Sequence, residues 1–188
     1  MIDFNNADSR AELIPAGTIA KATLKLKGGG NYGEHNLLYK SDKTGSVGLN
    51  VYFTIDSGKY KGRRIYQLIG IEGTKKNAEG EDLWGNMGKS LIRSILESVH
   101  NIYPTDKSEK AVKIRSIISY NDLEGLQCLI KIGVETDKTG AYADKNKIFA
   151  ALTPADKDYS TLMNPVITSK TESNTSYNNN YVEDEVPF

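Results

Sequence analysis

Few groups in this chain are equipped for covalent chemistry. It holds two histidines, His35 and His100, and a single cysteine, Cys128. Cys128 falls on the apolar side of an alternating run, where a thiol acts as a small buried hydrophobe. His35 lies in a loop. His100 closes a helical stretch, where a cation favours the terminal carbonyls. No histidine and cysteine stand at metal-ligand spacing. There is no nucleophile elbow and no P-loop, and no two carboxylates have a diagnostic spacing. Gly28-Gly29-Gly30-Asn31-Tyr32-Gly33 satisfies the G-x-G-x-x-G pattern. A dinucleotide site also needs a helix opening at that point and an acid roughly 20 residues later. The residues after Gly33 open no helix, and Val51-Tyr52-Phe53 stands where the acid belongs. The expectation is a non-enzyme that needs no metal or cofactor.

Residues suited to binding are better represented. Tyr32, Tyr39, Lys40 and Lys43 occupy the glycine-rich loop and the segment after it. Tyr52, Arg64 and Tyr66 lie on the polar side of two alternating runs. Lys138, Tyr142 and Lys145 belong to a later loop. Rings stack on unpaired bases for roughly 1–3 kcal/mol each, largely regardless of sequence. Lysine and arginine neutralise phosphates and make such binding salt-dependent. Facing tyrosines are also ordinary sheet stabilisers, so Tyr52 and Tyr66 carry both readings. Trp84 begins an apolar helical stripe and is assigned to the core.

Periodicity supplies the scaffold for these groups. From Thr18 to Lys27 the residues alternate, with Lys21, Lys25 and Lys27 on one side; period two marks a half-buried strand. Val47, Leu49, Val51, Phe53 and Ile55 alternate in the same way. The run from Arg63 to Ile71 folds back on them about a hairpin centred on residue 59. That register sets Phe53 against Ile65, Leu49 against Ile69, Thr54 against Arg64 and Tyr52 against Tyr66. Agreement on the buried face is what fixes a register, and Val51 opposite Gln67 is its one poor match. Helical spacing of Trp84, Met87, Leu91, Ile95 and Val99 predicts a helix over 83–102, ended by Pro104. A second helix is expected over 106–118 with Thr105 as its cap. Residues 126–135 and 147–152 read as two further strands. Asp42-Lys43-Thr44-Gly45 recurs as Asp137-Lys138-Thr139-Gly140, the signature of a tight turn used twice.

The fold class expected is therefore mainly β: a five-stranded OB-fold with a helix between strands 3 and 4 and a disordered C-terminal tail. A five-stranded α+β sandwich is the rival. Residues 1–14 form a lead-in, 15–154 the nucleic-acid-binding domain, and 155–188 a flexible linker with an acidic tip. Residues 173–181 are polar and poor in aliphatics, too poor to offset their ordering entropy.

Net charge is formally zero but unevenly spread. Residues 170–188 set one lysine against four carboxylates, net −3, and residues 1–12 set one arginine against three, net −2, which leaves +5 on residues 13–169. A basic body with an acidic tail suits a polyanion binder. No apolar run reaches the ~18 residues of a membrane span, and the N-terminus lacks the pattern of a secretory signal. One cysteine excludes an internal disulfide and suits a reducing cytoplasm.

Glu183-Asp184-Glu185-Val186-Pro187-Phe188 resembles the acidic tip of bacterial single-stranded DNA-binding proteins, which finish in several acids, an aliphatic, proline and phenylalanine. The resemblance implies that these six residues bind replication or repair proteins. Phe188 would enter an apolar pocket, and the acids would meet a basic rim. Tyr60-Lys61-Gly62-Arg63-Arg64-Ile65, Leu123-Glu124-Gly125, Thr139-Gly140-Ala141-Tyr142 and Lys145-Asn146-Lys147-Ile148 are similar to an uncharacterised family of phage-encoded proteins, over residues 15–152. Together the two imply a phage single-stranded DNA-binding protein in the host cytoplasm. It would serve DNA replication, recombination or repair. An adaptor that binds protein, with no nucleic-acid affinity of its own, is the alternative; a small phage enzyme or nuclease accessory is the third reading.

Overall fold

The computed structural model describes residue 3, residues 12–137 and residues 139–163. Lys138 and the tip at 183–188 lie outside the described residues, as does most of the expected linker.

The described chain is mainly β. Its strands are β1 (Ile19–Leu26), β2 (Leu38–Lys40), β3 (Val47–Ile55), β4 (Arg64–Glu72), β5 (Gln127–Glu135) and β6 (Lys145–Ala151). Its α-helices are α1 (Leu83–His100), α2 (Glu109–Ile114) and α3 (Tyr159–Met163), and single 3-10 turns stand at Glu34–Asn36, just after Gly33, and at Tyr120–Leu123. All six strands belong to one open antiparallel sheet. No helix among the described residues is long and apolar enough to cross a membrane.

β3 is the hub. One of its edges carries β2 on residues 47–49 and β1 on residues 51–55; the other pairs with β4 over its length. β1 continues the sheet to β5, and β5 to β6. The hairpin register is the one the alternation predicts, pair for pair, from Leu49–Ile69 to Thr54–Arg64. Gln67, the poor match for Val51, has a separate task. β4 and β6 end the sheet and lie near each other, and Gln67 Oε1 accepts the Ile148 N–H at 2.8 Å across the gap. A polar side chain so placed satisfies a backbone donor that a ladder would otherwise take.

The sheet has six strands, not five. The extra one, β2, is three residues long. Three residues are too few to show an alternation, Leu37 just before them blurs it further, and only Leu38 of the strand is buried.

α1 packs on β4, β5 and β6, burying Ile92, Ile95 and Leu96. Asp82 caps it, accepting the Gly85 N–H at 2.8 Å and the Gly73 N–H at 2.6 Å. The close approach depends on Gly88: a Cβ there would stand 1.8 Å from the Gly70 carbonyl oxygen. Near the far end of α1, buried Glu97 receives Arg93 Nε at 2.8 Å and Arg115 Nε at 2.6 Å. Arg115 also donates to the carbonyls of Asp106 and Tyr103. The Asp106 N–H closes a turn onto the Tyr103 carbonyl at 2.9 Å, and the Asp106 carboxylate accepts the Ser108 N–H. This turn occupies the residues where the second helix is expected to begin, and the helix starts later. It is capped by Ser108, not Thr105, and ends at Ile114.

The core extends past the alternating segments at both ends. Ile14 is fully buried, and its N–H donates to Asn146 Oδ1 at 2.9 Å. Beyond Pro154, α3 lays Tyr159 over Leu129 and Leu152, with the phenol donating to the Ser98 carbonyl. This explains why Leu129 is buried although its alternation places it on the outer side.

Candidate nucleic-acid interface

Pairing of β1, β3 and β4 aligns their polar residues in rows on the outer face. Lys25 stands opposite Tyr52, and Tyr52 opposite Tyr66. In the next row the Lys27 N–H donates to the Asn50 carbonyl at 2.9 Å, and Asn50 faces Leu68. On the other side Thr23 faces Thr54, and Thr54 faces Arg64. Strand parity alone creates this surface, because the opposite parity is spent on the core.

Tyr52 and Tyr66 form a tilted ring pair, centroids 5.5 Å apart at 38°. The Arg64 guanidinium lies 5.2 Å from the Tyr52 centroid, and Lys27 Nζ lies 5.8 Å from that of Tyr66. Tyr66 remains 56% exposed. The result is an aromatic pair bracketed by cations, with a free ring surface for a stacking partner.

A cleft of about 340 Å³ continues this face towards β6, lined among others by Lys27, Tyr66, Trp84, Lys145 and Lys147. Lys145 and Lys147 are drawn together by Glu135, whose two oxygens lie 3.0 Å and 3.1 Å from their ammonium nitrogens. Those two hydrogen bonds hold the Glu135 carboxyl below its ordinary range. Glu124, just before β5, lies 2.9 Å from Nζ of Lys25 on β1 and raises its pKa through that hydrogen bond. Lys25, Lys145 and Lys147 thus rest on carboxylates.

Tyr142 lies beyond Lys145, in an adjoining depression of about 300 Å³ that shares Glu135 and Lys145 with the cleft. Asp137 shapes this loop. Its carboxylate accepts Thr139 Oγ1 at 2.7 Å and the Tyr142 N–H at 2.9 Å. These bonds, that from the Thr139 side chain foremost, lower its pKa to about 2. The anchored turn leaves the Tyr142 ring 80% exposed.

The structure brings together five of the residues expected from the sequence: Tyr52, Arg64, Tyr66, Lys145 and Tyr142. Tyr39 joins the same face, opposite Gly48, one step beyond the Lys27 row. Tyr32 and Lys40 are occupied with each other, Lys40 Nζ standing 4.8 Å from the ring centroid. Asn31 holds that turn by bonding both the N–H and the carbonyl of Lys40. Lys43 is exposed in the turn between β2 and β3 and lines neither depression. Lys138 lies outside the described residues.

Four residues of this face and its cleft are not evident from the alternation of single strands. Lys25 and Lys27 share the parity of Tyr52 once β1 is laid beside β3, so pairing those strands is the signal that finds them. Lys147 needs the β5–β6 register. Trp84, expected in the core, is partly exposed and lines the cleft.

Searches against protein-family models and curated proteins find no match to this chain.

Proposed function

We propose that the body is an OB-type module that binds single-stranded DNA with little sequence preference, in phage replication or recombination. The order β4-β3-β1-β5-β6, with α1 between β4 and β5, supports the OB reading. It is the strand order of a five-stranded Greek-key barrel left open between its third and fifth long strands. In that scheme the face of β3 and β4, flanked by the segment joining β1 to β3 and the loop joining β5 to β6, receives the nucleic acid.

The observation that carries the proposal is the Tyr52–Tyr66 pair bracketed by Arg64 and Lys27 and continued into Lys145 and Lys147. Stackable rings and cations on one face suit the alternating bases and phosphates of an unpaired strand. Stacking on rings is largely indifferent to the identity of the base, which favours sequence-independent binding. Residues 183–188 supply a second function, recruitment of replication or repair proteins, which their resemblance to the acidic tip of bacterial single-stranded DNA-binding proteins implies.

The test is a fluorescence-anisotropy titration of the full chain with labelled oligo-dT at two salt concentrations. Binding at low salt that weakens as salt rises supports the proposal. Folded protein that fails to bind at low salt refutes it and leaves the adaptor reading. Deleting Phe188 should abolish capture of replication proteins and leave oligo-dT affinity unchanged or tighter. Loss of DNA binding on that deletion would contradict the division of labour.

A further inference from the structure

Next to the cleft, a groove of about 270 Å³ runs between β4, β6 and the first turns of α1. Its walls are apolar: Leu68, Trp84, Met87 and Phe149, with Lys147 at the junction with the cleft. Met87 is 70% exposed and Phe149 68% exposed. Large apolar side chains gathered at one place are a costly surface to leave in water, and such patches mark sites of contact.

The walls are held in place from beneath. The Trp84 indole lies on Gly70, where a Cβ would come within 2.7 Å of the ring. The Phe149 ring lies over Gly133, where a Cβ would come within 2.1 Å of it. Two strand glycines therefore act as seats for two aromatic rings. Met87 adds a polarizable thioether, which makes favourable contacts with aromatic faces.

We propose that this groove is a subsite for an unpaired nucleobase, continuing the track that crosses Tyr52 and Tyr66. The inference rests on the single-stranded DNA reading. Continuity selects this occupant over a peptide: Gln67, Leu68, Trp84 and Lys147 line both the cleft and the groove. A strand whose phosphates follow Lys27, Lys145 and Lys147 delivers its next base over Trp84. The groove itself has no carboxylate in its lining to repel a phosphate, and Lys147 provides a cation at its mouth.

The experiment uses the full chain and fluorescein-labelled oligo-dT, with two readouts in parallel. Anisotropy of the label reports binding anywhere on the protein. Emission of Trp84, the chain's only tryptophan, reports the cleft and the groove together, and the variants at Met87 and Phe149, which line the groove alone, report the groove. Saturating oligo-dT should quench Trp84 emission. Phe149→Ala should weaken binding about fivefold or more for a lost stacking platform, and Met87→Ala about twofold or more for a lost sulfur–aromatic contact, with no change in the slope against salt, since no phosphate contact is removed. Met87 is exposed enough for its variant to keep the fold should Phe149→Ala perturb β6, and circular dichroism checks both. Binding by anisotropy with full affinity in both variants, or with unchanged Trp84 emission, overturns the subsite and leaves the DNA-binding reading standing. Absence of any anisotropy change overturns both. Self-association lost in Met87→Glu, with DNA affinity intact, shows a second copy as occupant and overturns the subsite.

Discussion

Replacing Glu135 with glutamine should tighten binding of single-stranded DNA. Glu135 holds Lys145 and Lys147 at 3.0 Å and 3.1 Å within the cleft. A phosphate that approaches either lysine therefore meets a carboxylate a few ångströms behind it. Two unit charges about 4 Å apart repel by roughly 1 kcal/mol in water. The Glu135 side chain is 42% exposed, so the value for water is the appropriate one and salt screens it further. Glutamine retains the shape and a hydrogen-bonding oxygen but removes the repulsion, which gives about a fivefold gain in affinity at low salt. Each lysine released to neutralise a phosphate should also steepen the log–log salt dependence by ~0.7 for a single strand. The assay is anisotropy with labelled oligo-dT across a salt series. A variant that binds equally or more weakly, with an unchanged slope, would show that Lys145 and Lys147 do not contact the strand.

Three further outcomes rest on the same geometry. Glu97→Ala leaves Arg115 without its buried partner and should cost about 3 kcal/mol, at the lower end for a broken buried pair because Arg93 is half-exposed; thermal unfolding should fall by roughly 10 °C, and an unchanged midpoint would contradict the role given to the pair. Burial, with the Asp56 charge nearby, pushes the Cys128 thiol up to about 12, so it should resist a disulfide reagent at pH 8 until denaturant is added. Asp137 titrates near 2 in the folded loop, below its unfolded value of about 3.9. Its stabilisation of the 137–142 turn is complete above the unfolded value and is lost as pH falls towards 2. The Tyr142 amide resonance, followed by NMR, should move with a midpoint well below 3.9, and a midpoint at the ordinary carboxylate value would contradict the hydrogen bonds assigned to it.

Much of the scaffold is legible in the sequence, because alternation and helical spacing are local signals. The β3–β4 hairpin is the clearest case: two strands of strict parity admit one register that buries Leu49, Phe53, Ile65 and Ile69 together. The features that escape depend on tertiary partners. Gln67 looks misplaced until β6 comes within reach of its side chain. The late start of α2 depends on a turn from Tyr103 to Asp106 whose carbonyls Arg115 binds from beyond the helix's other end. Leu129 looks exposed until Tyr159 covers it.

The candidate site divides in the same way. Tyr52, Arg64 and Tyr66 belong to one hairpin, and its parity alone places them on one face. Lys25, Lys27 and Lys147 require the neighbours β1 and β5 to be placed first. Trp84 is hidden because an amphipathic stripe does not say where it leaves the core. Gly70 decides that: without a side chain, it lets the indole lie at the rim of the sheet, with one part of the ring packed and another exposed.

The proposed binding of an unpaired strand by the outer face of β3 and β4, continued into the cleft beside β6, is testable residue by residue. Amide shift perturbation during titration with oligo-dT does this directly. Changes should concentrate on Lys27, Tyr52, Arg64, Tyr66, Lys145 and Lys147, with α2 and α3 unaffected. Binding that leaves these residues unmoved and shifts those of another face would contradict the assignment of this surface.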